Sequence, residues 1–167
     1  MVGQFLSPSW TIYVKGSRMA KVVTCLLVKD DKLLILKRSD KVGTYKGLWG
    51  SVAGYVEEHE EPYETALKEI KEEVGLENKD VSLVRKGDPF TFTDFHEGKK
   101  YEWTIYPFLF KLEKKNKIKI DWEHSKYEWI SPSEIGRYDT VPHLKEIVIK
   151  IFGKNSRMRE RGGGEER

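Results

Sequence analysis

GYVEEHEEPYETALKEIKEEVGL, residues 54–76, is the stretch on which the reading of this chain turns. Pro62 suits the first helical position, where its missing N–H costs nothing, and Gly75 suits the left-handed residue that ends a helix. The spacing therefore predicts a helix over Glu61–Val74. With Glu69 at 0° and steps of about 100°, Tyr63, Ala66, Leu67, Ile70 and Val74 fall on one apolar stripe. Glu72 and Glu73 share with Glu69 an arc about 100° wide that borders the stripe. Like charges three and four apart cost a helix about 0.2–0.5 kcal/mol per pair, so something positive should offset them. Lys68 and Lys71 on a solvated face could do so, and so could a divalent cation, which favours hard oxygen ligands on a rigid element.

Read from Gly54, the spacing resembles the Nudix box, Gly-x5-Glu-x7-Arg-Glu-U-x-Glu-Glu-x-Gly-U, where U is a bulky aliphatic residue. Gly54, Glu60, Glu69, Ile70, Glu72, Glu73, Gly75 and Leu76 match, and Lys68 stands where the pattern has arginine. The resemblance covers about residues 19–153. It implies an α/β fold, the Nudix-type α/β/α sandwich with a mixed β-sheet, in which the box forms loop, helix and loop. It further implies metal-dependent hydrolysis of a diphosphate linkage in a nucleoside diphosphate joined to another moiety, with Mg²⁺ or Mn²⁺ as cofactor.

Carried over by position, Glu69, Glu72 and Glu73 are the expected metal ligands, with the backbone carbonyl of Ala53 or Gly54 beside them. Glu60 is expected to support the helix or the metal shell. Glu123, six residues before Trp129, occupies the strand-end position where some members supply a further carboxylate. A diphosphate needs its charge neutralised, and a metal both clamps it and lowers the pKa of the attacking water. A carboxylate must then take the water's proton. Glu73 and Glu123 lead for that role, with Glu97 third. Lys68 keeps the positive charge of the usual arginine without its planar fork, so tuned activity is expected. Val52-Ala53 replaces the frequent Pro-Gly, and His59 stands where glycine is common, so a left-handed backbone there would be strained.

Substrate contacts are expected from Arg38, which could hold a phosphate by two hydrogen bonds, and from Trp49 and Trp122, which could stack on a nucleobase or simply pack. Gly54 lies at the same mouth; Tyr45, Lys46 and His124 are further pocket candidates. Nucleoside triphosphates, ADP-sugars and dinucleotides all remain open; Pro89 is a near match to the proline that marks ADP-ribose-type members. Two alternatives stand beside the hydrolase: a catalytically weak Nudix-fold nucleotide-binding or regulatory module, and a prenyl diphosphate isomerase. The latter needs an active-site cysteine, and Cys25, the one cysteine, lies in an apolar strand that suggests core packing.

The 167 residues suit one domain, with 1–18 as an N-terminal extension, 19–153 as the Nudix domain and 154–167 as a flexible charged tail. The net charge of +3 resides in the ends, since 1–18 and 154–167 each carry +2 and the body −1. The partner expected is therefore a small-molecule nucleotide, not nucleic acid, with a homodimer allowed by the family's habit. No apolar run is long enough to span a membrane and the start lacks a secretory pattern, so a cytoplasmic protein is the expectation.

Lys21–Lys29 and Leu33–Arg38 read as a hairpin around Asp30-Asp31-Lys32, followed by loop to Gly50. Val81–Arg85, Phe90–Phe95, Tyr101–Leu112 and Lys117–Ile120 read as strands. Ser131-Pro132-Ser133-Glu134 reads as a capping box, and Leu144, Ile147, Val148 and Ile151 share the apolar face of a last helix. The chain is rich in Lys and Glu, with one glutamine and three asparagines, as in heat-adapted proteins. A melting temperature above the mesophile range of about 45–65 °C is expected in a thermal scan, and one inside it would refute heat adaptation.

Overall fold

Strand β1 (Arg18–Lys29) is a nearly unbroken apolar run, and such a run must be covered on both faces. The computed structural model describes residues 18–96, 98–113 and 118–153, so the extension before Arg18, the tail 154–167, Glu97 and Lys117 lie outside it. β1 pairs in parallel with β7 (Lys99–Leu112) along residues 18–28 and antiparallel with β2 (Lys32–Arg38). The hairpin turn is Asp30-Asp31, both at positive φ (50° and 62°), the geometry that lets two residues join right-twisted strands.

After its first two residue pairs the β1–β2 hairpin opens, and residues 49–55 fill the gap. β3 (Trp49–Gly50) pairs with β2, while β4 (Val52–Tyr55) pairs antiparallel with β1, Thr24 opposite Ala53. β3 corrects the expectation of loop as far as Gly50, and β4 is a strand that was not expected. Its four residues Val-Ala-Gly-Tyr carry too little alternation to signal a strand, and pairing arises only because the hairpin splays. Strands β5 (Val81–Lys86) and β6 (Phe90–His96) both add antiparallel to β7, and β8 (His124–Ile130) adds to β2, completing an eight-stranded mixed sheet.

Helix α1 (Pro62–Val74) follows the predicted bounds, with Pro62 in its first turn and Gly75 at φ 74° donating its N–H to the Lys71 carbonyl. Ala66, Ile70 and Val74, all fully buried, pack on Val23, Cys25, Leu27, Phe108 and Phe110. On the opposite face, helix α2 (residues 144–153) lays Leu144, Ile147, Val148 and Ile151 over Leu26, Ile35, Ile105 and Leu109. The result is the three-layer α/β/α arrangement. Cys25 is 1% exposed, a core residue, as expected from its apolar strand, and does not stand open as the active-site cysteine of an isomerase. The Ser131–Glu134 capping box is formed and opens a 3-10 helix, Pro132–Arg137.

The strand expected over Lys117–Ile120 is not one across its described residues 118–120. Ile118 is buried under α1 and Ile120 packs beside it, while the N–H groups of Lys119 and Asp121 donate to the Val74 and Glu73 carbonyls at 3.0 and 3.2 Å. Alternating apolar residues need only one buried face, and here the helix C-terminus, with its orphan carbonyls, supplies both that face and the backbone partners. Truncating Ile70, fully buried at the centre of α1, should lower unfolding free energy by about 2–5 kcal/mol in denaturant titration of Ile70→Ala.

Candidate active site

The close approach of α1 to β4 builds the site. Any Cβ at Gly54 would overlap the side chain of Glu69, so a larger residue there would displace that carboxyl from its place against the strand. One turn on, Glu73 is buried at 3% exposure, and its Oε2 accepts the Ala53 N–H at 3.3 Å. The half-buried Glu69 and the buried Glu73 are close enough to act on each other, Glu72 is exposed beside them, and Glu123, just before β8, acts on both carboxyls. The structure thus brings Ala53, Gly54, Glu69, Glu73 and Glu123 to one edge of α1.

Burial first, then the neighbouring Glu72 and Glu123 charges, push Glu69 up to about 7, against the opposing influence of the Glu73 hydrogen bond and Lys68. Burial pushes Glu73 well above the usual carboxylate range, and the charges of Glu69 and Glu123 add to it. Glu123 is raised by burial and by Asp121, with Arg38 opposing. These carboxyls resist ionising because too little positive charge faces them. Lys68 is spent on Glu60, its Nζ 2.8 and 3.0 Å from the two oxygens. Glu60 Oε1 also accepts from the Glu57 N–H and the Thr65 hydroxyl, so Glu60 ties the box loop to the helix. His59 in that loop does adopt the left-handed backbone, at φ 77°.

The donor set fits a hard divalent cation, since acidic oxygens are held on a rigid helix with their charge unmet. Among the described residues, no three acidic, histidine or cysteine side chains are already gathered as a closed ligand cluster. Glu73 is turned inward to Ala53 while Glu72 faces solvent, so ligation would require the carboxyls to swing together.

Arg38, half-buried at the end of β2, donates from Nε to the Thr44 carbonyl at 2.9 Å and fixes the loop that follows. It borders a small cleft of about 60 Å³ with Thr24, Ser51, Ala53 and Val141, which reaches Leu144 and Ile147 of α2 and has no carboxylate in its lining. A larger open groove, about 720 Å³, runs outside α1 between Lys68, Lys71 and Glu77; Lys71 and Glu77 pair with each other there, and the carboxylate edge is not part of its lining. Trp49 is not brought to the site: it is 8% exposed, meets Tyr138 edge to face and lies under Lys126, so packing explains it. Trp122 is 59% exposed, with its carbonyl held by the Ser39 hydroxyl. Tyr45 is exposed and reaches Asp94 at 3.4 Å, and Lys46 is also exposed.

Asp121 is the residue sequence reasoning missed. His124 Nδ1 lies 2.9 Å from Asp121 Oδ1, and His124 Nε2 lies 3.7 Å from Glu73 Oε1. Burial lowers the His124 pKa, with the Asp121 hydrogen bond opposing. The spacing of three between Asp121 and His124 was a local signal, but their approach to Glu73 crosses from β8 to α1.

Comparison with known proteins shows the class to which this sheet and helix belong. The model of the NUDIX domain matches residues 18–151. The nucleoside triphosphatase NudI of Escherichia coli is 30% identical over 141 residues, covering 80% of this chain and 97% of NudI. A Caenorhabditis elegans Ap4A hydrolase superposes with TM-score 0.63 at 16% identity, covering 83% of this chain and 97% of the other. The MutT protein of Methanosarcina mazei Go1 gives the same score at 21% identity, covering 85% and 98%. The chain belongs to the Nudix family, and it is an enzyme that hydrolyses nucleotide-linked diphosphates.

A carboxyl whose pKa is higher folded than unfolded binds its proton more tightly in the fold, so its contribution is intact at low pH and lost as pH rises between the two values. For Glu69 that window runs from 4.5 to about 7, and Glu73 and Glu123 act in the same direction. Glu60, shifted down, titrates below it, while His124, lowered by burial, acts in the opposite direction below its ordinary value of 6.5 and offsets part of what the three carboxyls do. The metal-free chain should therefore melt lower at pH 8 than at pH 5 in a chelator-containing thermal scan, and Glu69→Gln should shrink the difference. An equal or higher melting point at pH 8 would contradict this electrostatic account.

Proposed function

We propose that the chain hydrolyses nucleoside triphosphates with Mg²⁺ or Mn²⁺ held by Glu69, Glu72, Glu73 and Glu123 and by the Ala53 carbonyl. The observation that carries the substrate class is the match to a nucleoside triphosphatase along 97% of that relative's length. What supports the metal is the set of buried, charge-starved carboxyls on the edge of α1. When bound, such a cation neutralises a diphosphate and lowers the pKa of water.

In this reading the protein's own groups divide the remaining work. Lys68 and Glu60 hold the loop before α1 against the helix, so that Gly54 and Ala53 stay beside Glu69 and Glu73. Arg38 keeps guanidinium donors at the cleft mouth for a phosphate, and the exposed ring of Trp122 offers a stacking face for the base. Glu123, half-buried near the Arg38 charge, takes the proton of the attacking water on the carboxylate oxygen that the metal leaves free. The substrate would come from a cytoplasmic nucleotide pool.

The test is phosphate and pyrophosphate release from ribo- and deoxyribonucleoside triphosphates, ADP-ribose and a dinucleoside polyphosphate with Mg²⁺ or Mn²⁺. Triphosphates should turn over fastest, chelation should abolish turnover, and Glu123→Gln should lower kcat by about 10²–10⁴-fold. Faster hydrolysis of ADP-ribose than of any triphosphate would overturn the substrate assignment, and full activity in chelator would overturn the metal.

A further inference from the structure

Thr24 carries the one hydroxyl in the apolar run of residues 22–28 in β1. Its neighbours Val23 and Cys25 pack on either side of it in sequence, under α1, or in the same layer, so that strand alternation puts Thr24 with Leu26 on the α2 side of the sheet. The residue is 8% exposed, and its hydroxyl makes no hydrogen bond to any described residue. A buried hydroxyl without a partner has given up its bonds to water for nothing in return. Valine has the same branched shape, suits a strand as well and would carry no such cost. The packing of β1 therefore does not explain a threonine here.

Thr24 lines the cleft of about 60 Å³ whose apolar wall includes Ile105, Leu144 and Ile147. Ser51, 9% exposed, brings a second buried hydroxyl to the same cleft, engaged only loosely with the Val52 carbonyl at 3.4 Å. Arg38 borders it as well, with Nε and Nη2 on Thr44 at 2.9 and 3.5 Å. Apart from Arg38 the lining is uncharged, so it suits neither a cation nor a group as anionic as a phosphate. A hydroxyl both donates and accepts, and apolar walls with a few such groups fit a flat, uncharged ring with polar atoms along its edge. Within a nucleotide, that ring is the base.

We infer that Thr24 is a specificity-determining residue, whose hydroxyl hydrogen-bonds the polar edge of the nucleobase while the apolar wall packs on the ring. The inference rests on the reading of the chain as a nucleoside triphosphatase. A base with the wrong edge leaves the buried hydroxyl unpaired, and that penalty is what discriminates. Trp122 acts differently, because a stacking face accepts every base alike.

The test is steady-state kcat/KM for adenosine, guanosine, cytidine and uridine triphosphates with Mg²⁺, on wild type, Thr24→Val, Thr24→Ser and Trp122→Ala. Wild type should favour one base. Thr24→Val should lower kcat/KM for that base about tenfold and draw the ratio of best to worst base towards one, with a melting temperature equal to wild type or higher. Thr24→Ser, which keeps the hydroxyl, should keep the preference, and Trp122→Ala should weaken all four bases alike. An unaltered ratio in Thr24→Val overturns the inference, as does a preference lost in Trp122→Ala and kept in Thr24→Val. A loss that falls equally on all bases together with a lower melting temperature assigns Thr24 to the fold and overturns it too. If the valine variant does not fold, Thr24→Ala is read in the same way. A wild-type chain that hydrolyses no triphosphate removes the proposed function and this inference together, whereas triphosphate hydrolysis with no base preference removes the inference alone.

Discussion

Helix α1 lies so close to β4 that the Glu69 carboxyl occupies the space a side chain at Gly54 would need. Along the same edge Glu69 is partly withdrawn from water and Glu73, one turn later, is buried. Burying carboxyls without cations is unfavourable, and the raised pKa values of Glu69 and Glu73 are its signature. What holds the helix there is the apolar stripe on its other flank, where Ala66, Ile70 and Val74 are fully buried against β1 and β7. Burying Ile70 and Val74 contributes about 1.5–3 kcal/mol each, which opposes the unfavourable acidic edge. The site is therefore stabilised from outside itself and left electrostatically unsatisfied within.

The sheet serves this edge by being split. β1 and β2 start as a hairpin and then part, and the chain from Trp49 to Tyr55 enters between them, pairing first with β2 and then with β1. That insertion brings the Ala53 N–H to Glu73 and puts Gly54 beneath Glu69. From the other side, residues 118–121 run along the end of α1, take up its terminal carbonyls and deliver Asp121, Glu123 and His124. Three segments distant in sequence thus converge on one turn of helix.

Lysine at position 68 does the charge work of the arginine usual in this family, reaching both oxygens of Glu60 from 2.8 and 3.0 Å. A flexible ammonium holds that carboxylate as a point charge, so the order of the box loop depends more on the other donors to Glu60, the Glu57 N–H and the Thr65 hydroxyl. The left-handed backbone at His59 in the same loop adds strain that a glycine would not. This loop departs from the family pattern in chemistry while keeping its connections.

Local spacing was enough to read α1, its proline start and glycine end, the hairpin at Asp30-Asp31, the capping box at Ser131 and the apolar face of α2, because each depends on residues within a turn or two of one another. The acidic arc of Glu69, Glu72 and Glu73 was legible for the same reason. β4 was not, since its four residues become a strand only when β1 and β2 separate to receive them. Nor was the fate of Ile118 and Ile120, whose alternation suits a strand but whose partner is the end of a helix. Burial of Trp49, inward rotation of Glu73 and the approach of His124 to it are likewise contacts between segments far apart in the chain. Periodicity states which face of an element must be covered. Which distant group covers it, and so which carboxyl is deprived of water, is settled only when the layers close.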